Sequence, residues 1–258
     1  MLKAFQSKTR IAKSRLHRSA KLGIALLSAL PLLFSPSAYS AELPNFKAEF
    51  NVQALGLNLG QAKHSMQCTA GNCTLKSDAK PSGLAAAFFK DSSHETIQLK
   101  QTQDTLSWQS YHKLGISYKD GKSKEKVTNL KLDPKQNKVI YPEKNREWPM
   151  QPQLFDVMSI AYAIQHAKLN NASLQNFTLQ DTNFQDKLVL KSTNQHDFVG
   201  LDFADNNLDA VKYHFTSQHA EIELWLLPKY NYFPGKIRIL NKDEKTITLS
   251  LAEPPKLL

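Results

Sequence analysis

Hydrophobic and polar residues alternate along most of the chain after residue 45. In "FKAEFNVQA", Phe46, Ala48, Phe50, Val52 and Ala54 fall on one side, and Lys47, Glu49, Asn51 and Gln53 on the other. "KTITLSL" repeats the split with Ile247, Leu249 and Leu251 against Thr246, Thr248 and Ser250. "AVKYHF" does so with Val211, Tyr213 and Phe215, and "GKIRIL" with Ile237 and Ile239. A period of two belongs to strands whose faces meet different surroundings. One dry face and one wet face favour antiparallel pairing.

Turn residues cluster near positions 71, 103, 120, 135, 205 and 233, where Gly, Asn, Asp and Pro supply the backbone angles of reversals. Roughly ten to twelve strands are expected, too many for a flat open sheet, so the sheet should curve into a half-barrel or open barrel. One segment departs from alternation. "PQLFDVMSIAYAIQHAKLN" carries Val157, Ile160, Ala161, Ile164 and Ala167 at helical spacing, with Asp156 placed to cap the first turn. The prediction is a mainly β fold in which a curved antiparallel sheet wraps one α-helix over residues 156–168, the helix setting its apolar stripe against the concave side.

The first forty residues read differently. A basic leader precedes thirteen mostly apolar residues from Leu22 to Phe34, then small residues ending Ala38-Tyr39-Ser40. This is the order of a secretory signal cleaved before Ala41, and it predicts a periplasmic location for a single β-rich domain over residues 41–258. The apolar run is shorter than the roughly 20 residues that span a bilayer and contains Pro31. Because residues 1–40 hold seven Lys or Arg and no acid, the net charge of +10 for the whole chain falls to +3 for the remainder. The basicity lies mostly in the leader, so no nucleic-acid partner is expected.

Both cysteines lie in "CTAGNC", Cys68 and Cys73. In an oxidising compartment they are expected to form a disulfide that staples a hairpin across the turn Thr69 to Asn72. Seven histidines outside the leader are scattered, and no metal site or cofactor is expected. His214 and His219, five apart, would face opposite ways on one strand. Glu221 and Glu223 share a face, as a glycosidase pair would, but lie on the expected solvent side. No nucleophile-elbow, zinc-protease, P-loop or dinucleotide motif occurs.

Three stretches carry the candidate chemistry. In "ELWLLPKYNYFPGKIRIL", Leu224, Leu226, Ile237 and Ile239 are expected to line the concave wall, with Tyr230, Tyr232 and Phe233 at its rim. In "GLAAAFFKD", Leu84, Phe88 and Phe89 form either a plug at one end of the core or a lid over a hydrophobic cavity. Between residues 113 and 138, eight lysines face three acids, which reads either as a solvated hairpin edge or as a stripe for anionic lipid head groups.

The blocks "LPNFKAEFNVQALGLNLGQAKHSM", "LFDVMSIAYAIQHA" and "EIELWLLPKYNYFPGKIRIL", in that order, resemble the domain-of-unknown-function-3108 family of exported bacterial proteins. The resemblance implies an exported β-rich domain similar to the half-barrel carriers LolA and LolB, and no catalytic residues. Cys68 and Cys73 stand outside that family's pattern. The resulting expectation is a non-catalytic periplasmic protein that binds a lipid or other hydrophobic molecule in the concave face. An envelope adaptor that recruits another protein is the alternative, and a hydrolase with an unrecognised site is a third reading.

Overall fold

A computed structural model describes residues 41–83, 85–88, 90–102, 104–242 and 245–258, with backbone alone for Phe88. The alternating stretches become strands. From the amino-terminal side these are β1 (Phe46–Ala54), β2 (Leu57–Thr69), β3 (Asn72–Pro81), β4 (Ser92–Gln101), β5 (Leu106–Lys119), β6 (Lys122–Asp133), β7 (Lys138–Tyr141) and β8 (Arg146–Pro149), with a single helical turn α1 (Ala85–Phe88) between β3 and β4. Then come β9 (Leu154–Asp156), α2 (Ile160–Leu169), β10 (Thr178–Gln180), β11 (Gln185–Lys187), β12 (Val189–Val199), β13 (Leu208–Thr216), β14 (Ala220–Leu227), β15 (Phe233–Asn241), β16 (Thr246–Leu251) and β17 (Lys256–Leu257). The described residues thus hold seventeen strands, more than the turn signals suggested, because several are only two to four residues long.

Two antiparallel meanders, β1 to β8 and β12 to β16, are zipped together where β1 pairs with β16, Phe50 opposite Leu251. After Pro254 and Pro255 interrupt the ladder, β17 resumes pairing with the start of β1. The sheet does not close: β8 and β12 are its edges. It curls nonetheless, since Tyr141 of β7 and Phe215 of β13 belong to one core with α2. A small second sheet, β11-β10-β9, is tied to the edge strand β8 and to the β13–β14 turn by side-chain bonds rather than by a ladder. Gln185 Nε2 donates to the Pro149 carbonyl at 3.1 Å beside β8, and the His219 backbone N–H donates to Asp186 Oδ2 at 2.9 Å beyond β13.

This small sheet explains the helix. β9 and β10 are parallel, and parallel neighbours need a crossover, which α2 supplies. The helix begins at Ile160, four residues later than expected, because Asp156 still belongs to a strand and accepts the backbone N–H groups of Met158 (2.8 Å) and Ser159 (3.0 Å) in a turn ahead of the helix. Nor is α2 amphipathic in practice: Ile160 to Ala167 are all buried, Gln165 and His166 included, as befits a helix enclosed on every side. Tyr162 stacks on Phe46 at 5.0 Å between ring centroids, and Phe233 meets Phe46 edge-on at 4.9 Å.

Cys68 and Cys73 are joined by a disulfide. The turn it flanks is tighter than expected, since Thr69 and Asn72 already pair and only Ala70 and Gly71 reverse the chain, both at positive φ. Closing so short a loop contributes roughly 2 kcal/mol by the chain-entropy estimate.

Candidate functional site

The concave face is packed in one part and recessed in another. Rows of inward residues run across the strands. The row Phe46, Met66, Leu75, Ile97, Tyr111 and Leu130 is apolar and buried except at half-buried Tyr111, and Phe46 stacks on Tyr162 of α2. One step further along the strands, the inward row across β2 to β6 turns polar: His64, Ser77, Glu95, Lys113 and Thr128, each directly opposite the next. All but Lys113 are buried. A polar row at core positions of five consecutive strands requires partners for each group.

Some are found. The carboxylate of Glu95 accepts from Lys113 Nζ at 2.8 Å and from the Tyr111 hydroxyl at 3.1 Å. Burial, followed by the Glu95 charge, raises the Tyr111 pKa and keeps it a donor. His64 Nδ1 lies 2.8 Å from the Tyr162 hydroxyl on α2, and its ring packs against Phe50 at 4.7 Å. Burial lowers the His64 pKa to about 4, Asp78 opposing weakly, so the ring is neutral at physiological pH. Its Nε2 is buried and has no hydrogen-bond partner among the described residues. Nearby, Asp156 Oδ2 accepts from Trp108 Nε1 (2.8 Å) and Ser159 Oγ (2.7 Å), and burial raises its pKa against the pull of its hydrogen bonds from Ser159 and Met158.

A recess of about 360 Å³ opens beyond the polar row, lined by Val52, Gly60, Ala79, Pro81, Asp91 and Ser93 among others. Small residues make it. A Cβ on Gly60 would sit 2.2 Å from the Lys80 carbonyl oxygen, so β2 and β3 approach there at a distance only glycine allows. The volume is at the low end of the roughly 300–1,000 Å³ of small-molecule sites. At the same end of the sheet the β1–β2 turn exposes Leu55 (73%) and Leu57 (66%), beside Ile247 (45%).

Of the residues expected to line the wall, Leu224, Leu226 and Ile237 are buried in the core, and Ile239 is half-buried further along its strand. Phe233, expected at the rim, is instead 1% exposed, within 6.5 Å of Phe50 and 6.0 Å of Tyr162. The proline and aromatic residues before it form a tight turn that carries β15 inward at once. Tyr230 and Tyr232 are half-buried at the opposite end from the recess, with Lys168 Nζ 5.1 Å from the Tyr232 ring. Leu84 and Phe89 lie outside the described residues, as does the Phe88 side chain. His219 sits in a turn bound to Asp186 rather than on the strand with His214. Glu223 is ion-paired with Lys212 (2.6 Å) and Arg238 (2.7 Å).

No family model and no curated protein matches the chain. Among solved structures, a beta-barrel-like protein of the domain of unknown function DUF1849 from Brucella abortus is similar, with a TM-score of 0.49 and 10% sequence identity, over 84% of this chain and 99% of that one. The fold assignment rests on the strand pairing itself.

The polar row escaped the sequence reading because each member is one polar residue in its own strand. Only the pairing register reveals that they are neighbours. What the arrangement offers chemically is a greasy recess adjoining a layer of buried hydrogen-bonding groups. Among the described residues no Ser, Thr or Cys side chain is hydrogen-bonded to a histidine ring, the minimal geometry of an activated nucleophile.

Proposed function

We propose that the protein is a non-catalytic, exported binding protein that holds an apolar chain in the recess of its concave face. The observation that carries this is the recess at one end of the sheet, the same end at which Leu55, Leu57 and Ile247 are exposed. Burial of apolar area, at roughly 25 cal/mol per Å², is the driving force. Residues 1–40 serve as a cleaved secretory signal in this reading, and the disulfide suits an oxidising compartment. The three sequence blocks support placing the chain with the domain-of-unknown-function-3108 family.

One observation favours the adaptor reading: the edge strand β12 exposes Val189 (46%) and Phe198 (58%). Register shifts at Leu190/Ser192 and Asn194/Asp197, however, interrupt that edge as a template for another strand. Native mass spectrometry of protein recovered from the periplasm separates the two. A retained apolar mass on a chain beginning at Ala41 is the expected result. A co-purifying polypeptide on a ligand-free chain supports the adaptor, and a chain retained in the cytosol with residues 1–40 intact overturns the export reading.

A further inference from the structure

The β5–β6 hairpin reverses the usual polarity of a strand pair. Its register with β4 is continuous from Ile97 opposite Tyr111 to Ser92 opposite Ile116, and with β6 from Ser110 to Lys119. Alternation from the buried Leu130 and Thr128 therefore puts Lys126 and Lys124 on the concave side, with Val127 and Leu114 on the other. Lys126 stands opposite Gly115, and Gly115 stands opposite Ser93, which lines the recess. At Gly115 an added Cβ would meet only the Lys126 carbonyl oxygen, at 3.8 Å, so among the described residues no side chain crowds this position between recess and lysine. Lys124 lies opposite Ser117, also small. The charge of Lys113 is matched by Glu95, but neither Lys124 nor Lys126 has an ion-pair partner among the described residues.

Building on the binding reading above, we infer that the occupant is an anionic amphiphile, with its apolar chain in the recess and a phosphate or similar anionic head held by Lys124 and Lys126. Two cations without an ion-pair partner among the described residues, one lane away from a mostly apolar recess whose one carboxylate is Asp91, match a molecule with an oily tail and a charged end. A neutral oil would leave the lysines unused, and a free anion would leave the recess unused.

The test is calorimetric titration of the purified protein with decyl phosphate below its micellar concentration, with decanol and inorganic phosphate as the separated halves of the probe. Decyl phosphate is expected to bind more tightly than either. In a Lys124→Gln/Lys126→Gln variant its Kd should rise roughly tenfold or more, while that for decanol stays unchanged. Lys131→Gln/Lys135→Gln, on outward and turn positions of the same segment, should leave both unchanged. Equal affinity for decyl phosphate and decanol, or no effect of the inward pair, overturns the head-group assignment and leaves the recess reading standing. Inorganic phosphate binding as tightly as decyl phosphate makes this a free-anion site. Absence of binding by both alkyl probes overturns the recess reading itself.

Discussion

His64 is the residue whose surroundings are most at odds with its chemistry. It is 2% exposed, bonded through one nitrogen only, and neutral because burial lowers its pKa to about 4 from 6.5. A base with a lowered folded pKa leaves the unfolded chain binding more protons below pH 6.5. Its contribution is therefore fully present above that pH and is lost as pH falls through about 4, amounting to roughly 3 kcal/mol. Asp156, whose pKa burial raises, acts with the opposite sign, so wild type must be compared with a variant that keeps it. Urea unfolding of wild type and His64→Phe should give a stability difference that is flat above pH 6.5 and shifts against wild type by that amount toward pH 4. Parallel curves would mean that the ring is hydrated. Nothing in the spelling "AKHSM" distinguishes this histidine from the six others beyond the leader, because its burial depends on Tyr162, a long way off along the chain.

Among the elements, α2 shows what periodicity can and cannot convey. Its existence was legible, since five apolar residues at helical spacing interrupt a chain that otherwise alternates. Its start was not, because Asp156 can cap a helix or end a strand, and pairing of β9 with β10 decides between them. Once there, Asp156 accepts from Trp108, Ser159 and two backbone N–H groups. Asp156→Ala leaves these buried donors unpaired and should cost about 3 kcal/mol or more, whereas Asp156→Asn keeps a carbonyl acceptor and should cost less. Thermal unfolding of the two variants measures the difference, and equal losses would show that the space filled, not the bonds, is what matters. The lysine-rich hairpin is the complementary case. Its composition suggested either a solvated edge or an anion-facing stripe, and register divides it: Lys124 and Lys126 go inward, Lys131 outward.

For the whole molecule, the β1–β16 pairing is the only ladder joining the two meanders among the described residues. Deleting residues 246–258 removes it and should abolish the single cooperative transition in near-UV circular dichroism. Deleting only residues 256–258, which trims β17, should leave that transition in place. A truncated chain that still unfolds cooperatively would show that α2 and the side-chain bridges at the open edges suffice. The mainly β class, the antiparallel pairing, the curl and the single substantial helix all follow from the order of dry and wet positions, since solvent imposes that order strand by strand. Which strands are neighbours, where the recess lies, and which polar residues share an inward row depend on contacts between segments far apart in the chain. Alternation is local and survives any permutation of the strands, whereas a recess exists only where particular strands meet. That is why Leu224 and Ile237, expected at a wall, lie buried in the core, while the recess is lined by Gly60 and Ala79.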